Sequence, residues 1–259
     1  MKTNATALTL VALLAVALTC PPISAGPSDL QSAQVLMSQK AFDQAVPLLK
    51  KVTEAEPDNS EAWQSLGDAL SAEIQDASLI SKLSLSKRSL TAYERAATLN
   101  PKSLAAHTAL VQFHSQAPSI VGGRREKAYA HAHALAELDV WQGNFWLMRL
   151  ALGDNRSDEA FAACDRILTA EPHRYRGLYQ LGRTVAVSGE QLDRGVAALR
   201  QALALTPDKT DPSHAHAHLR LGQILEKQNQ SAAAAQAYSA ALSLDPTLTE
   251  AKTRLAKLQ

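Results

Sequence analysis

The clearest alternation of apolar and polar positions in the chain lies between Ala215 and Pro246. Apolar or small residues recur there at spacings of three and four, and comprise His218, Leu221, Gly222, Leu225, Ala234, Ala237, Tyr238, Ala241 and Leu244. This spacing predicts two amphipathic helices with a break near Asn229. We expect Gly222 to allow close approach of the helices, Tyr238 to fill the gap between them and Pro246 to end the second helix. The stretch therefore predicts one helical hairpin.

The same hairpin pattern recurs along the chain, as counting back from each helix-ending position indicates. These positions are Pro57, Pro101, Val140 in place of a proline, Pro172, Pro207 and Pro246. Twelve residues before each is a small residue, namely Ala45, Ser89, Ala128, Ala160, Gly195 and Ala234. Five residues before each is an apolar one, namely Val52, Ala96, Leu135, Ile167, Ala202 and Ala241. The small position and the apolar position thus recur together before all six helix ends, which indicates six copies of one unit.

This unit resembles the tetratricopeptide repeat (TPR), a helix, a turn and a helix in about 34 residues. Trp63, Leu66, Gly67 and Leu70 match the first-helix pattern of that family. The resemblance implies an all-α, right-handed α-solenoid of about six TPR-like helical hairpins plus a C-terminal capping helix. The units are about 26–57, 60–101, 104–140, 141–172, 175–207 and 215–246. Residues 247–259 are expected to form the capping helix, with Thr249 as its cap and Leu255 and Leu258 covering the last hairpin.

Two stretches exceed the repeat length. Residues 73–86 are rich in serine and aliphatic residues, and we expect them either to extend one helix or to lengthen a loop between helices. Around residues 117–125, Pro118 and the Gly122-Gly123 pair predict a loop. Gly122-Gly123-Arg124-Arg125 could form an anion-binding nest before a helix. A plain basic loop is favoured, because no strand precedes it and no Lys-Ser/Thr follows.

Residues 1–25 differ from the rest of the chain. Lys2 is followed by an apolar run from Ala5 to Thr19 and by a small residue at Ala25, which predicts a signal peptide cleaved near Ala25. A retained membrane anchor and lipidation at Cys20 are the alternatives. The run is shorter than the roughly 20 residues that span a membrane. We therefore expect a periplasmic or secreted protein with no stable membrane span after cleavage.

Composition supports a folded helical protein and excludes some partners. The chain has 46% hydrophobic and only 5% aromatic residues, which fits closely packed helices better than a β-sandwich. The 26 basic residues balance 25 acidic ones, so the basic excess of a nucleic-acid-binding protein is missing. A nucleic-acid partner is not expected.

The candidate chemistry is sparse. His214, His216 and His218 alternate, and the first and last would share a helical face at metal-ligand spacing. No carboxylate or cysteine completes a site, so core or surface histidines are favoured over a metal. Cys164 lies in an apolar stripe and is expected to pack rather than react. With no catalytic motif, we expect neither an enzyme nor a cofactor.

The resemblance implies that partner contacts come from inward-facing positions of the first helices. Carried over residue by residue, these are Glu61, Gln64, Asp68, Thr108, Gln112, Arg176, Tyr179, Arg183, His216, Gln223, Glu226 and Lys227. The favoured ones are Arg176, Tyr179 and Arg183, because an aromatic ring between two guanidinium groups can stack on a partner and bind a carboxylate. An ordinary solvated face is the alternative.

The resemblance thus implies a non-catalytic protein–protein interaction or assembly scaffold that binds a protein or peptide partner in its concave groove. The lysine and asparagine set of chaperone-binding TPR domains is missing, so that partner is not expected. A second hypothesis is a small-molecule-binding component of the cell envelope, enclosed by the inserts at 73–86 and 117–125. An enzyme is the least favoured class.

Overall fold

The computed structural model describes residues 28–258, which form thirteen α-helices and a short 3₁₀ turn at Ser119–Val121. The helices are α1 (Asp29–Ser38), α2 (Phe42–Ala55), α3 (Ser60–Glu73), α4 (Leu79–Leu99), α5 (Leu104–Gln116), α6 (Arg125–Leu138), α7 (Val140–Gly153), α8 (Ser157–Ala170), α9 (Tyr175–Ser188), α10 (Leu192–Leu203), α11 (His214–Lys227), α12 (Ser231–Leu244) and α13 (Thr249–Leu258). The described residues contain no strand. The expected signal peptide and Cys20 lie outside the described residues.

Consecutive helices pack in pairs, and the pairs stack in chain order. Helices α1 and α2 form the first hairpin and α11 and α12 the sixth, and the second helix of each pair contacts the first helix of the next. Helix α13 packs on α12 at the C-terminal end of the stack. The odd-numbered helices α1 to α11 are the first helices of their hairpins. The predicted all-α repeat fold is confirmed.

Local sequence explains where several first helices begin. Asn59, Ser103 and Asp139 are the N-cap residues of α3, α5 and α7, and each side chain accepts a hydrogen bond from a backbone N–H in the first turn. Such caps satisfy donors that the helix itself leaves free. In the last hairpin, Asn229 adopts a left-handed conformation with φ of 60°, so the helix pair turns where the apolar pattern breaks.

The small column of the repeat forms the contact between paired helices. Ala45, Ser89 and Ala234 are each fully buried. In the last hairpin, a Cβ atom added at Gly222 would lie 2.5 Å from the ring of Tyr238, which is itself fully buried. Because real Cβ atoms do not approach an aromatic carbon so closely, only glycine allows this packing.

The two long stretches take different forms. Most of the extra residues at 73–86 lengthen α4, which has 21 residues and begins at Leu79, and residues 74–78 form the connection from α3. Residues 117–124 form a loop that contains the 3₁₀ turn and Gly122 at φ of 104°. The backbone N–H groups of Gly122 and Gly123 donate to Ser119 and Pro118 within that loop. These two amides are therefore not available to an anion, as a nest would require.

The C-terminal helix differs from its prediction in one detail. Thr249 is the first residue of α13 rather than its cap, and its hydroxyl donates to the carbonyl of Thr247. The preceding turn is held by the Asp245 carboxylate, which accepts hydrogen bonds from the backbone N–H and the hydroxyl of Thr247. Leu255 and Leu258 pack against the main core, as predicted. Across residues 28–258, none of the helices is both long and apolar enough to cross a membrane.

Candidate partner-binding groove

Three first helices, α7, α9 and α11, form the part of the stack that carries the favoured residues. Helix α9 contacts both α7 and α11. Side chains from these three helices can therefore act on one bound segment. We call this surface the α7–α9–α11 face.

Arg176, one of the three favoured residues, is engaged inside the protein. Its guanidinium forms a bidentate pair with the Glu171 carboxylate, at 3.0 and 2.9 Å from Nη2, and lies 4.1 Å from the ring centre of Trp141. The side chain is 22% exposed. Bidentate and cation–π contacts of this kind hold an arginine in place. Arg176 therefore serves mainly to hold the N-terminal end of α9 against its neighbours, rather than to bind a partner.

Tyr179 is also largely a packing residue. It is 4% exposed, and its ring stacks on Tyr175 with ring centres 6.2 Å apart. The expected arrangement placed this ring between two free guanidinium groups. In the structure, Tyr175 of the same helix covers the Tyr179 ring. The guanidinium of Arg176, one of the two expected to flank this ring, is already paired with Glu171.

Arg183 is the favoured residue that remains open. It is partly buried, and none of the ion pairs formed among residues 28–258 includes it. Burial lowers the pKa of the Arg183 guanidinium, and the positive charges of Arg220 and Arg149 lower it further. An arginine stays protonated under such conditions, so its charge lacks compensation here.

Gln223 and Lys227 lie on α11 beside the end of the stack. The Gln223 amide donates to Glu250 of α13 at 2.5 Å and accepts a hydrogen bond from Arg220 at 2.9 Å. With Lys227 and Arg254, these residues line an open cleft of about 530 Å³. The cleft is polar, with acidic and basic side chains facing each other.

Other predicted groove residues, Gln64, Asp68 and Gln112 among them, lie nearer the N-terminus, on α3 and α5. Gln64 donates to the Asp68 carboxylate at 3.0 Å, and the Tyr93 hydroxyl donates to the same oxygen at 3.0 Å. Burial raises the pKa of Asp68, while these two hydrogen bonds oppose the rise. Gln112 is exposed and borders a cleft of about 300 Å³. These residues do not share the α7–α9–α11 face.

Sequence reasoning missed three residues of the α7–α9–α11 face. The Arg149 guanidinium lies 5.0 Å from the ring centre of Trp146, and Gln180 Oε1 and Arg220 Nε are buried without a hydrogen-bond partner. Gln180 and Arg220 could have been found, because each precedes a first-helix glycine, Gly182 or Gly222, by two residues. Helix α7 has no glycine at the position that corresponds to Gly182 and Gly222, so nothing in the sequence pointed to Arg149 in the same way.

The structure also brings together three histidines that lie on two helices. His107 and His114 of α5 and His131 of α6 lie side by side, with the rings of His114 and His131 stacked at 6.0 Å. Burial, followed by the charges of His107 and His114, lowers the pKa of His131 to about 4. Within residues 28–258 no group of three or more His, Cys, Asp or Glu side chains is arranged to hold a metal ion.

Two of the three alternating histidines and Cys164 have local partners, whereas His218 Nδ1 is buried without a hydrogen-bond partner. His214 bonds the carbonyl oxygen of Leu205 at 2.8 Å, and His216 bonds the hydroxyl of Ser213 at 3.0 Å. Cys164 is 1% exposed, and burial raises the pKa of its thiol to about 11. A buried thiol that stays protonated packs as a small apolar residue.

Comparison with known proteins agrees with this architecture. Residues 179–248 match the tetratricopeptide repeat family. The structure is similar to that of PilW, described as a widely conserved type IV pilus biogenesis factor, with 16% identity, a TM-score of 0.63 and coverage of 88% of this chain and 96% of that one. It is also similar to YrrB, described as a TPR protein with an unusual peptide-binding site, with 15% identity, a TM-score of 0.53 and coverage of 82% and 98%.

A third similar structure is that of Pseudomonas aeruginosa PilF, with 13% identity, a TM-score of 0.60 and coverage of 88% of this chain and 96% of that one. The sequence has no significant match among curated proteins. The structure is therefore an all-α helical repeat fold like those of these tetratricopeptide repeat proteins, and residues 179–248 also match the sequence model of that family. Proteins of this class generally serve as non-catalytic scaffolds that bind protein or peptide partners.

Proposed function

We propose that this protein is a non-catalytic scaffold that binds a segment of a protein partner along the α7–α9–α11 face. The observation that carries the proposal is Arg183, a partly buried guanidinium with no carboxylate partner among the described residues. Folded proteins rarely leave such a group uncompensated without a functional reason. The helices are held by their own core, so most of the ordering cost of binding falls on the partner.

We further propose that the protein acts outside the cytoplasm. The support is the N-terminal pattern of Lys2, the apolar run from Ala5 to Thr19 and the small residue Ala25. An exported scaffold would meet its partner in the cell envelope or beyond it. Fractionation of cells that express the full chain with a C-terminal tag tests this point, since a cytoplasmic, full-length product would contradict export.

The binding proposal is tested by exchanging one arginine for a charge of opposite sign. The Arg183→Glu variant should lose partners that chemical cross-linking and mass spectrometry identify on the wild-type protein in its native cells. Arg200→Glu is the matched control, because Arg200 is exposed on α10, a second helix. If both variants retain the same partners, the face is not the binding surface.

A second candidate function has one specific observation in its favour. The cleft of about 300 Å³ beside Gln112 is bordered by residues of both inserts, Ile74 and Ser86 from one and Ala117 and Pro118 from the other. A small molecule could bind there. Native mass spectrometry of the purified protein should then reveal a stoichiometric extra mass that Gln112→Trp removes, and its absence would leave the scaffold proposal alone.

A further inference from the structure

Two first helices of the face carry the same pair of polar residues in opposite order. Gly182 of α9 and Gly222 of α11 occupy equivalent positions, since each lies beneath a large side chain of its own second helix. Gln180 therefore corresponds to Arg220, and Arg183 corresponds to Gln223. In both helices an arginine and a glutamine stand three residues apart, which places them on one side of the helix.

In α11 this pair already holds a carboxylate. Arg220 Nη1 donates to Gln223 Oε1 at 2.9 Å, and Gln223 Nε2 donates to Glu250 Oε1 at 2.5 Å. The other oxygen of Glu250 lies 3.9 Å from Arg220 Nη1. Glu250 belongs to α13, the helix that ends the stack. Arg254 of α13 also donates to Glu250 Oε1, at 3.0 Å. In this arrangement Gln223 makes the direct hydrogen bond to the acidic side chain, and Arg220 holds the Gln223 amide from the other side.

In α9 the same pair is open. Gln180 Oε1 is buried without a hydrogen-bond partner, and Arg183 has no ion pair among the described residues. In α11 the carboxylate comes from the next helix of the stack, α13. The corresponding neighbour of α9 is α11, and it places Arg220, not an acidic residue, near Arg183. By the geometry seen in α11, Arg183 can donate to Gln180 Oε1 while Gln180 Nε2 and the guanidinium donate to a carboxylate.

The charges around this open pair favour an anion. Arg149 is exposed on α7, and its guanidinium lies against the rings of Trp146 and Phe145 at 5.0 and 5.5 Å. Burial is the main cause that lowers the pKa of Arg183, and the positive charges of Arg220 and Arg149 lower it further. The whole chain has a formal net charge of only +1, so this is a local concentration of positive charge. Such a patch attracts negatively charged partners.

We infer that the partner segment is acidic and that one of its Asp or Glu carboxylates binds the Arg183–Gln180 pair, with a flanking acidic residue beside Arg149. This inference rests on the proposed scaffold function and adds the chemical class of the partner. The aromatic rings that support Arg149 are partly covered by the protein, so they orient its guanidinium while leaving its charge accessible.

The inference is tested with two fluorescent twelve-residue peptides, one of alternating Glu and Ala and one with every Glu replaced by Gln. Fluorescence anisotropy should show that the Glu peptide binds the full chain at least about tenfold more tightly than the Gln peptide, as expected when a charged hydrogen-bonded partner is removed. Raising the salt concentration should weaken the Glu peptide's binding. Arg183→Gln should remove the preference, while Arg200→Gln should retain it.

A second variant separates loss of binding from loss of folding. Gln180→Glu places a carboxylate beside Arg183, so it should abolish Glu-peptide binding while the thermal melting temperature stays the same or rises. If Gln180→Glu binds the Glu peptide like the wild type, the inference is overturned.

The peptides also distinguish this inference from the proposal on which it rests. Equal binding of the Glu and Gln peptides, or tighter binding of a single-stranded oligonucleotide than of the Glu peptide, would overturn the acidic class. If cellular partners were still lost in Arg183→Glu, the scaffold function would stand. If Arg183→Glu retained all of those cellular partners, the scaffold proposal itself would be wrong, whatever the peptides showed.

Discussion

The Nδ1 atoms of His107 and His131 lie 3.0 Å apart and join α5 to α6. The other ring nitrogen of His107 is 2.9 Å from the carbonyl oxygen of Pro101, which can only accept, so His107 Nε2 carries the proton. His107 Nδ1 is then the acceptor and His131 Nδ1 the donor. This arrangement requires a neutral His107. The ring of His114 stacks on that of His131.

The histidine cluster predicts that acid destabilises the protein. The pKa of His131 is lowered to about 4 in the folded protein, from 6.5, by burial and by the neighbouring histidines, with Lys127 acting in the same direction and Glu94 against it. The unfolded chain therefore binds more protons between these values, and stability falls as the pH drops from about 6.5 towards 4. Thermal melts at several pH values should show a smaller decline in His131→Gln than in the wild type. Parallel curves for the two proteins would refute this role.

Gly222 and Tyr238 predict a packing defect on enlargement. Gly222→Ala adds a methyl group where the tyrosine ring already lies at 2.5 Å, so the free energy of unfolding should fall by about 1–3 kcal/mol. Urea denaturation measures the loss. The double variant Gly222→Ala with Tyr238→Leu should lose less than the sum of the two single changes, because the smaller side chain removes the clash. Strict additivity would show that the two residues do not compete for space.

Arg176 and Arg183 should differ in their effect on stability. Arg176→Ala removes the pair with Glu171 and the contact with Trp141, and should lower the free energy of unfolding by about 1–2 kcal/mol. Arg183→Gln should leave it unchanged or raise it, because an uncompensated, partly buried charge is removed. Both are measured by urea denaturation. An equal loss in the two variants would assign Arg183 a structural role.

Cys164 should be unreactive until the protein unfolds. Its burial keeps the thiol protonated, with a pKa raised to about 11. In a Cys20→Ser background, which leaves Cys164 as the only cysteine, a thiol-specific chromophore should label the native protein slowly and the urea-unfolded protein rapidly. Rapid labelling of the native protein would show that α8 opens readily.

The sequence predicted the helical hairpins and the contact between Gly222 and Tyr238. Both depend on short-range spacing, because apolar residues three or four apart must share a helix face and residues of one hairpin must meet. It located both inserts but did not decide between a longer helix and a longer loop at 73–86. Either outcome satisfies the same local pattern.

The state of the groove residues was decided by tertiary structure. Arg176, Tyr179 and Arg183 have equal status on one helix in the sequence, yet Arg176 is held by Trp141 from the preceding hairpin and Arg183 faces Arg149 and Arg220 from its two neighbours. Whether a side chain is free depends on which residues other helices bring beside it. Helical periodicity assigns a residue to a face, but the stacking of hairpins determines the charge and the solvent that this residue meets.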